Sequence, residues 1–457
     1  MEWHRIGASE LARDIRAGEV TAEEAVRSCL ERIRTIEEQV QAWAFLDPEY
    51  ALAQARQADR ARREGRALGP LHGVPVGIKD IFDTADMPTE NGTVLHAGRR
   101  PVEDAAAVAL LRQAGAILLG KTVTTELAVY APGKTRNPHD PGRTPGGSSS
   151  GSAAAVAAHM VPVALGTQTN GSVIRPAAYC GVVGYKPTHG RISRHGVLRQ
   201  SPPLDQIGVF ARSVADAALV AQPLMAFDDR DPAMRPTARP DLVRAAAAEP
   251  PIAPRLAFVR TPMWDQAAKD TRQAFAELCR RLGPQVQEVA LPPVFDAAAA
   301  WHRTIMEPDL AKHFAAEYSG GKEQLSATLR QMIERGQQVT AVDYNRAVEQ
   351  IPVLNRALAD VFGESDAILT PATMSVAPLG LHSTGSPIFC TIWTLCGAPA
   401  ITLPILRGAG GLPLGAQLVA PRGDDARLLR AARWLEEAAA RWPSPAGPSP
   451  EARGGRG

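Results

Sequence analysis

Apolar side chains first recur at helical spacing near the start of the chain, where Ala25, Cys29, Ile33 and Ile36 follow Thr21-Ala22-Glu23-Glu24. That tetrad is a capping box, with the Thr21 hydroxyl and the Glu24 carboxylate placed to take up free N–H groups of a helix start. A second helix is expected over about 50–64. The texture then changes. Val74-Pro75-Val76-Gly77-Ile78 is an apolar run ending at Lys79, the pattern of a strand or extended segment. A helix over 104–114 leads into a buried strand over 116–120. A Gly/Pro/Ser loop over 134–152 precedes a short Ala-rich helix over 153–160 and a strand over 161–165. Farther on, Ser213 caps a helix with Asp216 at its third position, and 256–259 and 268–282 read as strand and helix. Two helical stretches cover 297–318 and 324–362. Short apolar strands at 367–369 and 400–403 precede an amphipathic helix at 427–440.

Strands alternating with helices, and apolar on both faces, predict one large α/β layered domain over residues 1–442. The helix-rich stretch at about 297–362 is expected as an insert capping the site. The tail 443–457, rich in Pro, Gly, Ser and Arg, is expected to be disordered.

Composition narrows the function classes. At 457 residues and 45% apolar, a sizeable core is attainable, and a net charge of +2 gives no global attraction to nucleic acid or an anionic membrane. No apolar run is long enough to span a bilayer, and the first residues lack a signal-peptide core. Five cysteines without a CxxC pair point to reduced thiols and a cytoplasmic protein. No histidines stand at metal-ligand spacing, so neither a metal nor a cofactor is expected.

Three segments carry candidate chemistry. Gly146-Gly147-Ser148-Ser149-Ser150-Gly151-Ser152 is either a flexible linker or a helix entry whose hydroxyls sit at the positive end of the following helix. It contains a formal G-x-S-x-G centred on Ser149. A nucleophile elbow needs a strand directly before it, and the three prolines of residues 137–145 do not make one. The second segment, Thr169-Asn170-Gly171-Ser172, follows an apolar strand and reads as a small-residue turn. Such a turn can leave N–H groups pointing outward, as an oxyanion hole requires, with Gly171 supplying unusual backbone angles; it can equally be an ordinary strand-end turn. The third is Lys79. Burial would favour its neutral, basic form, whereas pairing with Asp80, Asp83 or Asp86 would make it a structural ion.

These segments, with the run from Gly397-Ala398-Pro399-Ala400 to Gly415-Ala416-Gln417-Leu418, resemble the amidase signature family along nearly the whole chain. The resemblance implies an α/β/α domain with a mixed central sheet. It also implies an amidohydrolase with a Ser–cis-Ser–Lys triad: Lys79 as base, Ser148 as bridging serine after a cis peptide, and Ser172 as nucleophile. The oxyanion hole would be formed by the N–H groups of Thr169, Asn170, Gly171 and Ser172. Gln168 and Asn170 stand where many members carry Asp and Gly, which argues against the amidase component of the tRNA-dependent amidotransferase. Tyr130, Arg175, Ile392 and Trp393 are expected on the substrate. The mostly apolar lining predicts an uncharged or aromatic amide, anilide or carbamate (urethane) as partner, handled by a monomer or homodimer. The alternatives are a component of an amidotransferase, or a hydrolase of small anionic amides bound through Arg175.

Overall fold

Alternation of apolar strands and helices resolves into one mixed sheet in a computed structural model that describes residues 2–442. The expected disordered tail, 443–457, lies outside the described residues. In chain order the strands are β1 (Trp43–Leu46), β2 (Pro75–Lys79), β3 (Ile117–Thr122), β4 (Val163–Gln168), β5 (Val183–Lys186), β6 (Gln206–Ala211), β7 (Leu256–Val259), β8 (Val286–Val289), β9 (Ala367–Pro371), β10 (Ala400–Arg407) and β11 (Pro413–Val419). In space they run β1-β3-β2-β4-β6-β5-β10-β11-β9-β7-β8. The trio β3-β2-β4 is parallel, as is β9-β7-β8, and the strands between them pair antiparallel.

The strands are continuous apolar runs because both faces are covered. Leu118, Val163, Leu165 and Val209 pack into one cluster with helices Val214–Leu224 and Asp425–Ala440. Their neighbours Ile117, Leu119, Ala164 and Phe210 point the other way, toward helices Ala22–Val40 and Ser150–Ala157. This period of two places alternate residues in opposite layers.

The segment expected as a cap folds into helices Ala298–His313, Ala315–Gly321, Ala327–Gly336 and Ala341–Gly363. Leu310, Phe314, Leu329, Ile333, Leu354 and Leu358 bind it to the end of the sheet carrying Ile368 and Val419. The capping box at Thr21 and the Ser213 cap form as expected. Helices Ile174–Cys180 and Ile388–Leu395, and strands β1, β5, β6, β8 and β11, extend what the hydrophobic pattern predicted.

For the site, the pairing of β2 with β4 matters most. Val76 stands beside Val163, Gly77 beside Ala164 and Ile78 beside Leu165, all parallel. Parallel neighbours end on the same edge of a sheet, where binding crevices of α/β folds open. Lys79, the last residue of β2, is thereby brought level with the turn that follows β4.

Candidate active site

The serine-rich loop folds against these two strand ends. Its helix begins at Ser150, three residues earlier than the alanine run predicted. Small residues permit the approach. A side chain at Gly151 would meet the Ala42 carbonyl at 2.3 Å, and one at Gly166 would meet Ser149 Oγ at 2.6 Å. Ser149 is consumed structurally, its hydroxyl standing 3.2 Å from both the N–H and the carbonyl of Thr167. Ser150 and Ser152 donate to the carbonyls of Val123 and Leu165. Ser148 is different. It follows a cis Gly147–Ser148 peptide, and its Oγ lies 2.8 Å from Lys79 Nζ.

Lys79 is fully buried, and Nζ also stands 2.8 Å from Thr167 Oγ1. The three aspartates that could have paired with it are engaged elsewhere. Asp80 lies 3.3 Å from Lys121, Asp83 2.7 Å from Arg99, and Asp86 2.5 Å from Arg112. Burial therefore holds the Lys79 amine well below the usual lysine range, opposed only by the more distant Asp205 carboxylate. The lower that value lies, the larger the share of the amine that is uncharged and able to accept a proton.

Beyond β4, Gln168 turns back and its Oε1 accepts from the N–H groups of Val173, at 2.8 Å, and Ile174, at 3.0 Å. It thus caps the helix Ile174–Cys180, a role that the substitution at this position had not suggested. Residues 169–172 lie between strand and helix, and each peptide plane there is fixed through its carbonyl. His302 Nε2 donates to the Thr169 carbonyl at 2.9 Å. Thr394 Oγ1 donates to the Asn170 carbonyl, and the Arg175 N–H donates to the Gly171 carbonyl at 2.9 Å. In a trans peptide the N–H points opposite its carbonyl. The N–H groups of Asn170, Gly171 and Ser172 consequently point away from these three anchors, and no described residue accepts from them. Ser172 closes the turn, 7% exposed, its hydroxyl bonded to no described residue. Gly171 is not needed for unusual backbone angles, since its φ is not positive. A Cβ there would meet Pro387 Cβ at 2.8 Å, so close packing selects glycine.

Two further groups brace Thr169. Its hydroxyl lies 2.6 Å from both Gln200 Oε1 and Asp205 Oδ1. Burial pushes the Asp205 carboxyl up to about 6, against the Thr169 hydroxyl, Arg194, and the N–H groups of Gln200 and Ser201, which favour its charge.

A cleft of about 260 Å³ opens beside the turn between the helical insert and the helix Ile388–Leu395. Tyr130 lines it and accepts from Asn170 Nδ2 at 2.9 Å. Arg175, Ile392 and Trp393, three of the four residues expected on the substrate, do not line it. Arg175 is fully buried and donates to the carbonyls of Gly147 and Gly385, bracing the cis-peptide segment from below. Residues 388–395 form a helix, and Ile388 and Thr391, one turn apart, face the cleft. Ile392 and Trp393 point into the cluster around Ile368 and Val419. In the Trp393-Thr394 pair it is therefore Thr394 that reaches the turn. His302 and Thr394 had no local signal, since one sits in an ordinary helical pattern and the other in an apolar run.

The sequence profile of the Amidase family matches residues 24–429. The chain belongs to the amidase family. Among its relatives is a glutamyl-tRNA(Gln) amidotransferase component from Chloroflexus aggregans, 37% identical over 94% of this chain and 95% of that protein. Among solved structures, the native peptide amidase from Stenotrophomonas maltophilia superposes with a TM-score of 0.83 at 31% identity, covering 95% of this chain and 97% of that one. A structure described as revealing "the evolutionary origins of an s-triazine catabolic enzyme" superposes with a TM-score of 0.88 at 27% identity, covering 94% and 98%.

Proposed function

We propose that this amidase-family protein is an amidohydrolase that cleaves the C–N bond of amides, anilides or carbamates through an acyl-enzyme on Ser172. The observation that carries the reading is a buried lysine without a contacting carboxylate, Lys79, set 2.8 Å from Ser148 Oγ. The amine takes the Ser148 proton while Ser148 takes that of Ser172, whose Oγ attacks the carbonyl. Negative charge on the carbonyl oxygen meets the free N–H groups of residues 170–172. Ser148 then returns a proton to the departing nitrogen, which leaves as amine rather than anion, and water repeats the cycle.

Met306, Met332, Pro387, Ile388 and Tyr130 give the cleft apolar walls that suit an uncharged or aromatic substrate. Glu307 in that wall is already paired with Arg335 at 2.6 Å, and the burial of Arg175 weighs against an anionic substrate held there. A serine-directed fluorophosphonate should label Ser172, and Ser172→Ala should abolish both labelling and hydrolysis. Labelling of Ser149 instead would sink the mechanism. The amidotransferase reading is kept because curated relatives carry that name. It predicts that turnover needs partner proteins.

A further inference from the structure

We propose that His302, from the helical insert, is a positioning residue that sets the oxyanion turn and so makes its geometry depend on how the insert is seated. This rests on the reading of residues 170–172 as the oxyanion hole. Of the three carbonyls that orient the turn, two are anchored by donors from elsewhere in the chain, and the Thr169 carbonyl is the one anchored by the insert. The His302 imidazole is 2% exposed and lies in the wall of the cleft itself, between Ala299, Met306 and Asn170. Its Nε2 must carry the proton to donate to that carbonyl. Rotating the Thr169–Asn170 peptide would move the carbonyl off the imidazole and swing the Asn170 N–H out of line with its neighbours.

Among the other contacts that seat the insert are two made through Asp309 and Ser326. Asp309 accepts from Ser201 Oγ at 2.6 Å, next to the Ser201 N–H that binds Asp205. Glu126 accepts from the Ser326 N–H at 2.9 Å. Neither touches the turn. Filling of the cleft by the substrate's apolar portion bears on helix Ala298–His313, and His302 carries that contact to the Asn170 N–H. Binding remote from the reacting carbon would thereby be expressed in the transition state rather than in the Michaelis complex.

Glutamine and asparagine substitutions separate position from packing. The terminal amide of Gln reaches about as far as Nε2, whereas that of Asn reaches only about as far as Nδ1. With rates normalised to the fluorophosphonate-labelled fraction, which counts folded sites, His302→Asn and His302→Ala should lower kcat by about 10–100-fold with KM changed less than about twofold. His302→Gln should stay within about threefold of the parent. Affinity for a trifluoromethyl ketone, which forms an oxyanion on Ser172, should fall in parallel with kcat/KM, while affinity for an unreactive substrate-shaped amide holds. Equal losses in the Gln and Asn variants, or a loss confined to KM, would overturn the proposal. Full activity in Ser172→Ala would instead overturn the functional reading beneath it.

Discussion

At Lys79 the same burial that supplies a base costs stability. Its amine sits well below the usual lysine range because desolvation penalises the charge. Folding must therefore release a proton wherever the pH lies between the folded value and about 10.4, the value for an unfolded chain. In that window the unfolded state binds more protons, so stability rises with pH and is fully expressed only above the unfolded value. Lys79→Met removes this linkage. Denaturant titrations at intervals from about pH 7 to 10 should show wild type gaining on the variant as pH rises, by at most about 1.4 kcal/mol per pH unit. A difference that stayed flat across that range would mean that the lysine is charged in the folded protein. The variant should also lose about 10³-fold in kcat, the usual scale for a missing general base.

Gln168 shows how an element is built around a reactive turn. The helix Ile174–Cys180 starts without a side-chain cap at the position directly before it, yet Gln168, six residues back, supplies both missing acceptors. Its Nε2 meanwhile donates to Thr394 Oγ1 at 2.8 Å, tying the cap to the residue that anchors the Asn170 carbonyl. Gln168→Ala strands two buried N–H groups and should cost about 2–4 kcal/mol in chemical denaturation. A loss below about 0.5 kcal/mol would show that the helix does not depend on this cap. Elements of this kind mark the limit of what the sequence discloses. Strands β2, β3, β4, β7 and β9 were legible because each is a compact apolar run. β5, β6 and β11 were not, because Gly184, Gly208, Pro413 and Gly415 interrupt their pattern and pairing across the sheet holds them straight. The residues themselves marked a candidate turn at Ser172 but left Lys79 and the serine loop open, and it was the family resemblance that gave Lys79, Ser148 and Ser172 their roles. The carbonyl anchors were hidden, since His302 and Thr394 come from segments more than one hundred residues from the turn.

Across the whole molecule the sheet brings two strand ends together, and the insert and the helix Ile388–Leu395 decide what reaches them. A component of an amidotransferase would need to bind glutamine, whose α-ammonium and α-carboxylate each call for an opposite charge. The cleft offers Glu307 and Arg335 already bound to each other, and Arg303 at its exposed rim. Its remaining walls combine thioether, proline and aliphatic carbon with neutral polar groups of His302, Thr328, Gln331 and Thr391. To serve glutamine the Glu307–Arg335 pair, in which Glu307 is 6% and Arg335 54% exposed, would have to exchange its one contact for two separate contacts with the ligand. An aromatic acyl or amine group needs no such exchange, and burying about 80 Å² of it contributes about 2 kcal/mol, or about 30-fold. The purified chain alone, without ATP, tRNA or partner proteins, should therefore hydrolyse an aryl anilide with a kcat/KM at least about 30 times that for glutamine. A chain inert on anilides, but releasing ammonia from glutamine once partner proteins are added, would be part of an amidotransferase. In that case the apolar cleft would need another occupant.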